Sequence, residues 1–165
     1  MANLVVYNPH NEQLLNSRFG EIEGLFSHIS TKYCFVTGSF LYKEKYKDID
    51  VFVVSRRKKK GVVLDSRVNV TIIDFNDVSS LFYHSISKSC VATQFLPKSS
   101  LKVTLSDYWQ VINEAVPTIL NQKNKYHKDV RFLVLYTEFF RTGNVLDTFE
   151  LTSKIDSFRG CTIFG

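Results

Sequence analysis

Cysteine is scarce in this chain and poorly placed for cross-linking. Only Cys34, Cys90 and Cys161 occur, an odd and widely spaced set with no Cys-x-x-Cys pair. Such thiols read as free groups in a reducing cytosol rather than as a disulfide framework. Glycine (7) and proline (3) are also few, which excludes a low-complexity or disordered chain. No run of about 18 apolar residues is present, so no membrane span is expected. The opening MANLVVYNPHNEQ lacks the basic start and long apolar core of a signal peptide. A cytoplasmic protein with no membrane partner is the expectation. The four histidines, His10, His28, His84 and His127, show no metal-ligand spacing. The chain has no Gly-x-Ser-x-Gly elbow and no Walker-type glycine loop, which argues against a serine hydrolase and a P-loop enzyme.

What is present is a globular composition. The 165 residues are 44% hydrophobic and 14% aromatic, enough for one domain with a real core. The formal charge of +5 favours an acidic partner such as nucleic acid or a nucleotide. Arg56, Arg57, Lys58, Lys59 and Lys60 are consecutive and read as a solvated loop, a phosphate-contacting loop or a nuclear address.

Periodicity orders the elements. From Pro9 to Ile29, the residues Leu15, Phe19, Ile22, Phe26 and Ile29 make one apolar helical stripe, with Asn8 as N-cap. Tyr33–Thr37 and Ile49–Ser55 read as strands, Val62–Leu64 as a further short one, and Val68–Asp74 as a β-branched strand. The last two long strands are expected to pair antiparallel. Asn76 caps an expected helix from Asp77 to about Ser87, and the serine-rich stretch Lys88–Ser100 reads as a loop or hinge. A helix then begins at Ser106 or Asp107 with Trp109, Ile112, Val116, Ile119 and Leu120 on one side. Pro117 should kink or break it. Another helix runs from His127 to about Arg141 and ends at Gly143. Asn144–Gly165 is mixed and carries a weak signal, compatible with one short helix. The expectation is a single α+β domain: a small mixed or antiparallel sheet over 1–90 backed by helices, and a mainly helical part over 101–165.

The stretch KYCFVTGSFLYKEKYKDIDVFVV, Lys32 to Val54, organises this layout. A strand runs into a turn at Gly38 and Ser39, and a second strand opens with Asp48 and Asp50. Residues two apart share a strand face, so the two carboxylates should project together and call for a hard divalent cation. Gly38 allows close backbone approach to a phosphate, and Ser39 offers a hydroxyl and an amide. Tyr42, Lys43, Lys45, Tyr46 and Lys47 mix rings and charges, suited either to base stacking and phosphate pairing or to an exposed turn.

A hydrophobic strand ending in Gly-Ser, followed about ten residues later by Asp-x-Asp, resembles the DNA polymerase beta-type nucleotidyltransferase superfamily, in particular its minimal members. The resemblance covers Tyr33 to Asp74, about a quarter of the chain. It implies Asp48 and Asp50 as ligands of Mg²⁺ (or Mn²⁺). Gly38 and Ser39, with Lys47, would bind the phosphates of ATP or another NTP. The family also carries a third acid on the neighbouring strand. Here the hydrophobic-acid-hydrophobic pattern falls on Val68-Asn69-Val70, which places Asn69 in the catalytic set where the family has a carboxylate. Asp74 is the nearest acid, five residues later and out of phase with Asn69 unless a bulge intervenes.

Three readings follow. One is an enzyme that transfers a nucleoside monophosphate to a hydroxyl, the acceptor being RNA such as a tRNA 3′ end, or a protein side chain as in toxin–antitoxin pairs. Another is a catalytically impaired module that binds nucleotide, nucleic acid or a partner protein. A basic nucleic-acid-binding domain with no nucleotide site is the third.

Overall fold

The computed structural model describes residues 3–29, 31–56, 66–121 and 127–159. Within these, the chain forms β1 (Val5–Tyr7), α1 (Glu12–Ser27), β2 (Tyr33–Thr37), β3 (Ile49–Val54), β4 (Val68–Ile73), α2 (Leu81–Lys88), β5 (Cys90–Ala92), α3 (Leu105–Asn121), α4 (His127–Thr142) and α5 (Thr148–Arg159). Single 3₁₀ turns follow β2 (Ser39–Leu41) and β4 (Phe75–Asp77). The fold is α+β, as the pattern of strands then helices predicts.

The five strands make one mixed sheet in the order β1-β5-β2-β3-β4. β2 and β3 run antiparallel, Thr37 opposite Asp50 and Phe35 opposite Phe52. β3 and β4, expected antiparallel, are parallel, with Asp50 beside Asn69 and Phe52 beside Thr71. A parallel pair needs a crossover of about a dozen residues or more, and the stretch 55–67 supplies the length. Most of that stretch, including Arg57–Lys60 and the expected strand Val62–Leu64, lies outside the described residues.

Alternation along the strands splits the core in two. One face carries Cys34, Val36, Ile49, Val51, Val53 and Val68 and is covered by Leu15, Ile22 and Phe26 of α1. The other carries Phe35, Phe52, Val54 and Ile73 beneath Tyr83 and Ile86 of α2. A third cluster joins Leu81 of α2 to Leu135 of α4 and to Leu151 and Ile155 of α5. α4 and α5 are therefore joined to the second face through α2.

Helix boundaries differ from the sequence reading where side chains found other partners. Asn11, not Asn8, caps α1 by accepting from the Leu14 amide at 3.0 Å. Asn8 has φ 42 and instead donates to the Lys88 carbonyl at 2.7 Å. Ser80, not Asn76, caps α2, accepting from the Tyr83 amide at 3.1 Å. The expected hinge over 88–100 is instead tied down and contains β5, buried between β1 and β2. Tyr83 Oη donates to the Pro97 carbonyl at 2.7 Å, and the Lys102 amide donates to the Ser79 carbonyl at 2.9 Å.

α3 continues through Pro117 without a break. The proline and Asn113, whose carbonyl loses its donor four residues on, are both exposed, so water can satisfy that oxygen. α3 rests on α4 through Tyr108, stacked on Phe140 at 5.0 Å, while Trp109 and Leu120 remain exposed. α4 ends as expected at Gly143, φ 79, whose amide donates to the Phe139 carbonyl at 2.8 Å. Within it, the buried Glu138 accepts from Lys154 at 2.6 Å and Arg141 at 3.0 Å, which lowers its pKa. No helix among the described residues is long and apolar enough to cross a membrane.

Candidate functional site

The end of β2 and the starts of β3 and β4 meet at one edge of the sheet, on the face covered by α2. There the registers place Thr37, Asp50 and Asn69 in a row across three adjacent strands. Because all three belong to the same pleat phase, their side chains share that face. Gly38 follows at once, with φ 95 and ψ −164, a backbone region open essentially to glycine. A Cβ added there would lie 3.2 Å from Asp50 Oδ2. The turn and the carboxylate are therefore close together; the dihedral calls for glycine, and a Cβ there would also oblige the Asp50 carboxylate to shift by a few tenths of an ångström.

Asp50 is half-buried, and its pKa is raised above 3.8 chiefly by burial. The hydrogen bond from Asn69 opposes the rise, the nearby Asp48 adds to it, and Arg131 opposes it. Asp48 stands one residue before β3 begins, half-buried, close enough to act on Asp50 although not itself a strand residue. Asn69 is exposed and donates its amide to Asp50, which leaves its amide oxygen as an acceptor. Asp74 sits at the far end of β4 and accepts from the Asn76 amide at 2.8 Å to cap the 3₁₀ turn. Of the two candidates on β4, Asn69 is thus the one beside Asp50.

Ser39 begins the 3₁₀ turn after Gly38 and is half-buried. Lys47 is exposed in the loop leading to Asp48. That loop is held from α1. Arg18 donates to the carbonyl of Phe40, to that of Lys43 at 2.7 Å and to that of Glu44 at 2.8 Å. Its guanidinium also lies over the rings of Phe40 (4.9 Å) and Tyr46 (4.7 Å). Tyr46 packs edge-on against Phe40, and Tyr42 packs against Phe149 while its hydroxyl meets Thr152 Oγ1 at 3.3 Å. Both tyrosines are thereby committed to packing, not to stacking on a base.

The sequence reading did not single out Arg18, Thr37, Arg131 or Thr148. Thr37 Oγ1 donates to the Ser89 carbonyl at 2.8 Å and lies 3.2 Å from Thr148 Oγ1, fastening α5 to the end of β2. Arg131 Nη1 donates to Thr152 Oγ1 at 3.0 Å, and its charge reaches Asp50. Strand phase alone could have drawn attention to Thr37, one residue before Gly38; nothing local marks the other three.

A divalent cation would find two carboxylates and one amide oxygen here. No Lys or Arg forms an ion pair with Asp48 or Asp50 among the described residues. No cluster of three His, Cys, Asp or Glu side chains converges among the described residues. The donor set that remains is all oxygen, of the kind Mg²⁺ or Mn²⁺ takes when phosphate oxygens complete the shell. Neither described cysteine serves as a nucleophile: both are buried, and burial pushes the Cys34 thiol up to about 12 and Cys90 further. Cys161 lies outside the described residues.

No family model, curated protein or solved structure matches the chain.

Proposed function

We propose that the chain is a nucleotidyltransferase that moves a nucleoside monophosphate from an NTP to a hydroxyl acceptor. The observation that carries this reading is the contact between the Gly38 turn and Asp50, in register with Asn69 and beside Asp48. A place for phosphate and a place for its counter-cation therefore adjoin. Asp48, Asp50 and the Asn69 amide oxygen would hold Mg²⁺ or Mn²⁺, which when bound would neutralise triphosphate charge. The backbone at Gly38–Ser39 and the Lys47 ammonium would contact the β and γ phosphates. In the transfer, the acceptor hydroxyl gives its proton to solvent water, its oxygen bonds to the α-phosphorus, the bond from that phosphorus to its bridging oxygen breaks, and pyrophosphate departs with the electron pair. The net positive charge makes RNA the first acceptor to try, with a protein hydroxyl second.

Asn69 favours a second reading. It is neutral, cannot take the acceptor's proton, and has no acid in reserve, since Asp74 is spent as a cap. That pattern suits a module that binds NTP and cation but transfers slowly or not at all.

Incubation with each α-³²P-labelled NTP, Mg²⁺ or Mn²⁺ and total RNA separates the two. The enzyme reading expects label in RNA or protein with the wild type and none with Asp48→Ala/Asp50→Ala. It also expects Asn69→Asp to accelerate transfer, toward the roughly 10²-fold a positioned base supplies. NTP binding without transfer, unchanged in Asn69→Asp, would establish the binding module instead.

A further inference from the structure

Between α2, α4 and α5 lies a cleft of about 120 Å³ that none of the sequence motifs accounts for. α2 contributes Phe82 and Ile86 to its walls, α4 contributes Phe132 and Leu135, and α5 contributes Leu151. The rings of Phe82 and Phe132 stand 5.5 Å apart and tilted by 38°. Its rim is basic. Lys128 places its ammonium 5.9 Å from the Phe132 ring centre, and Arg131 follows one helical turn on. A dry apolar cavity of about 150 Å³ accepts a single benzene ring, so this smaller space, about 120 Å³, seats only one edge of a flat ring system, with the rest projecting from its open side.

The cleft connects to the site through two residues. Thr148 lines it and also meets Thr37 at the end of β2. Arg131 lines it and acts on Asp50. Arg131 is half-buried, yet among the described residues no carboxylate lies within ion-pair distance of it; its hydrogen bond goes to the Thr152 hydroxyl. A guanidinium with donors to spare at the mouth of an apolar slot is arranged for a ligand that is flat at one end and anionic at the other.

We propose that this cleft receives the base of the nucleotide, seated against Phe132 and Phe82, while Arg131 contacts its phosphates. The assignment rests on the nucleotide reading of Gly38, Asp48 and Asp50 and extends it to the substrate's other end. It also sets the selectivity. The Ser85 hydroxyl on the cleft wall is spent on the Leu146 carbonyl at 2.6 Å, and the Thr148 hydroxyl faces Thr37. Stacking without polar readout of the base edge is tolerant of sequence, so the four NTPs should bind alike.

Calorimetric titration of the full chain with ATP, CTP, GTP, UTP and inorganic tripolyphosphate, each with Mg²⁺, tests this. The wild type should bind the NTPs within a few-fold of one another and roughly tenfold or more tighter than tripolyphosphate, the size of one base–aromatic contact. Phe132→Ala should bring the NTPs down to the tripolyphosphate level and leave tripolyphosphate itself unchanged. Phe132→Leu, which keeps the volume of the core, should lose most of the same excess, and circular dichroism melts would show both variants folded. Equal affinity of wild type for NTP and tripolyphosphate, or an excess that survives Phe132→Leu, would overturn the base assignment while leaving the phosphate site standing. Failure of the wild type to bind either would remove both.

Discussion

Burial at the junction of β2, β3 and β4 raises the pKa of Asp50 above 3.8, and the neighbouring Asp48 raises it further. The folded chain therefore holds a proton on this group more tightly than the unfolded chain does. That contribution to stability is complete below 3.8 and is lost as pH rises through the raised value. Once ionised, the side chain destabilises the fold unless a cation neutralises it. Asp50→Asn should accordingly raise the melting temperature at neutral pH without added metal, and the gain should vanish below about pH 3.8. Melts by circular dichroism at the two pH values decide it; a variant less stable than wild type at neutral pH would contradict the electrostatic picture. Strand phase was enough to place Asp50 and Asn69 on one face, because alternation in an extended chain is local. The partners Arg131 and Thr148 were not legible. They reach the site from helices far along the chain, and no local pattern encodes that meeting.

Elements with long apolar periods, such as α1, β2, β3 and α4, were readable because each carries its own face. β1 and β5, of three residues each, were not: they are made by pairing with each other and, for β5, with β2. The direction of β4 was missed for a related reason. Alternation fixes which side chains share a face, but says nothing of whether the strand runs up or down beside β3. α5 carried its signal in its cap rather than in its stripe. Asp147 Oδ1 accepts from the Glu150 amide at 2.8 Å, and Glu150 Oε1 accepts from the Asp147 amide at 3.2 Å, a reciprocal capping box. Asp147 also meets His10 Nε2 at 2.7 Å. Asp147→Ala should destabilise the chain by about 1–2 kcal/mol through the lost cap. Asp147→Asn, which keeps a capping oxygen, should recover most of that in urea denaturation. An Asp147→Ala variant as stable as wild type would show that α5 is held by its packing alone.

At the scale of the whole molecule, the sheet separates two tasks. α1 closes one face with apolar side chains and clamps the site loop through Arg18. α2, α4 and α5 lie on the other side and leave between them a cleft whose wall includes Arg131 and Thr148. Where the two meet, Gly38, Asp48, Asp50 and Asn69 gather at one sheet edge, and the proposed function requires this edge to bind a divalent cation together with a triphosphate. Equilibrium dialysis of Mn²⁺ and ATP against the protein reads it directly, since free and ATP-chelated Mn²⁺ equilibrate across the membrane and only protein-bound Mn²⁺ is in excess on the protein side. One Mn²⁺ per chain should be taken up by the wild type in the presence of ATP and released when Asp48 and Asp50 are both changed to Asn. Equal uptake by wild type and the double variant, or uptake by neither, would contradict the claim.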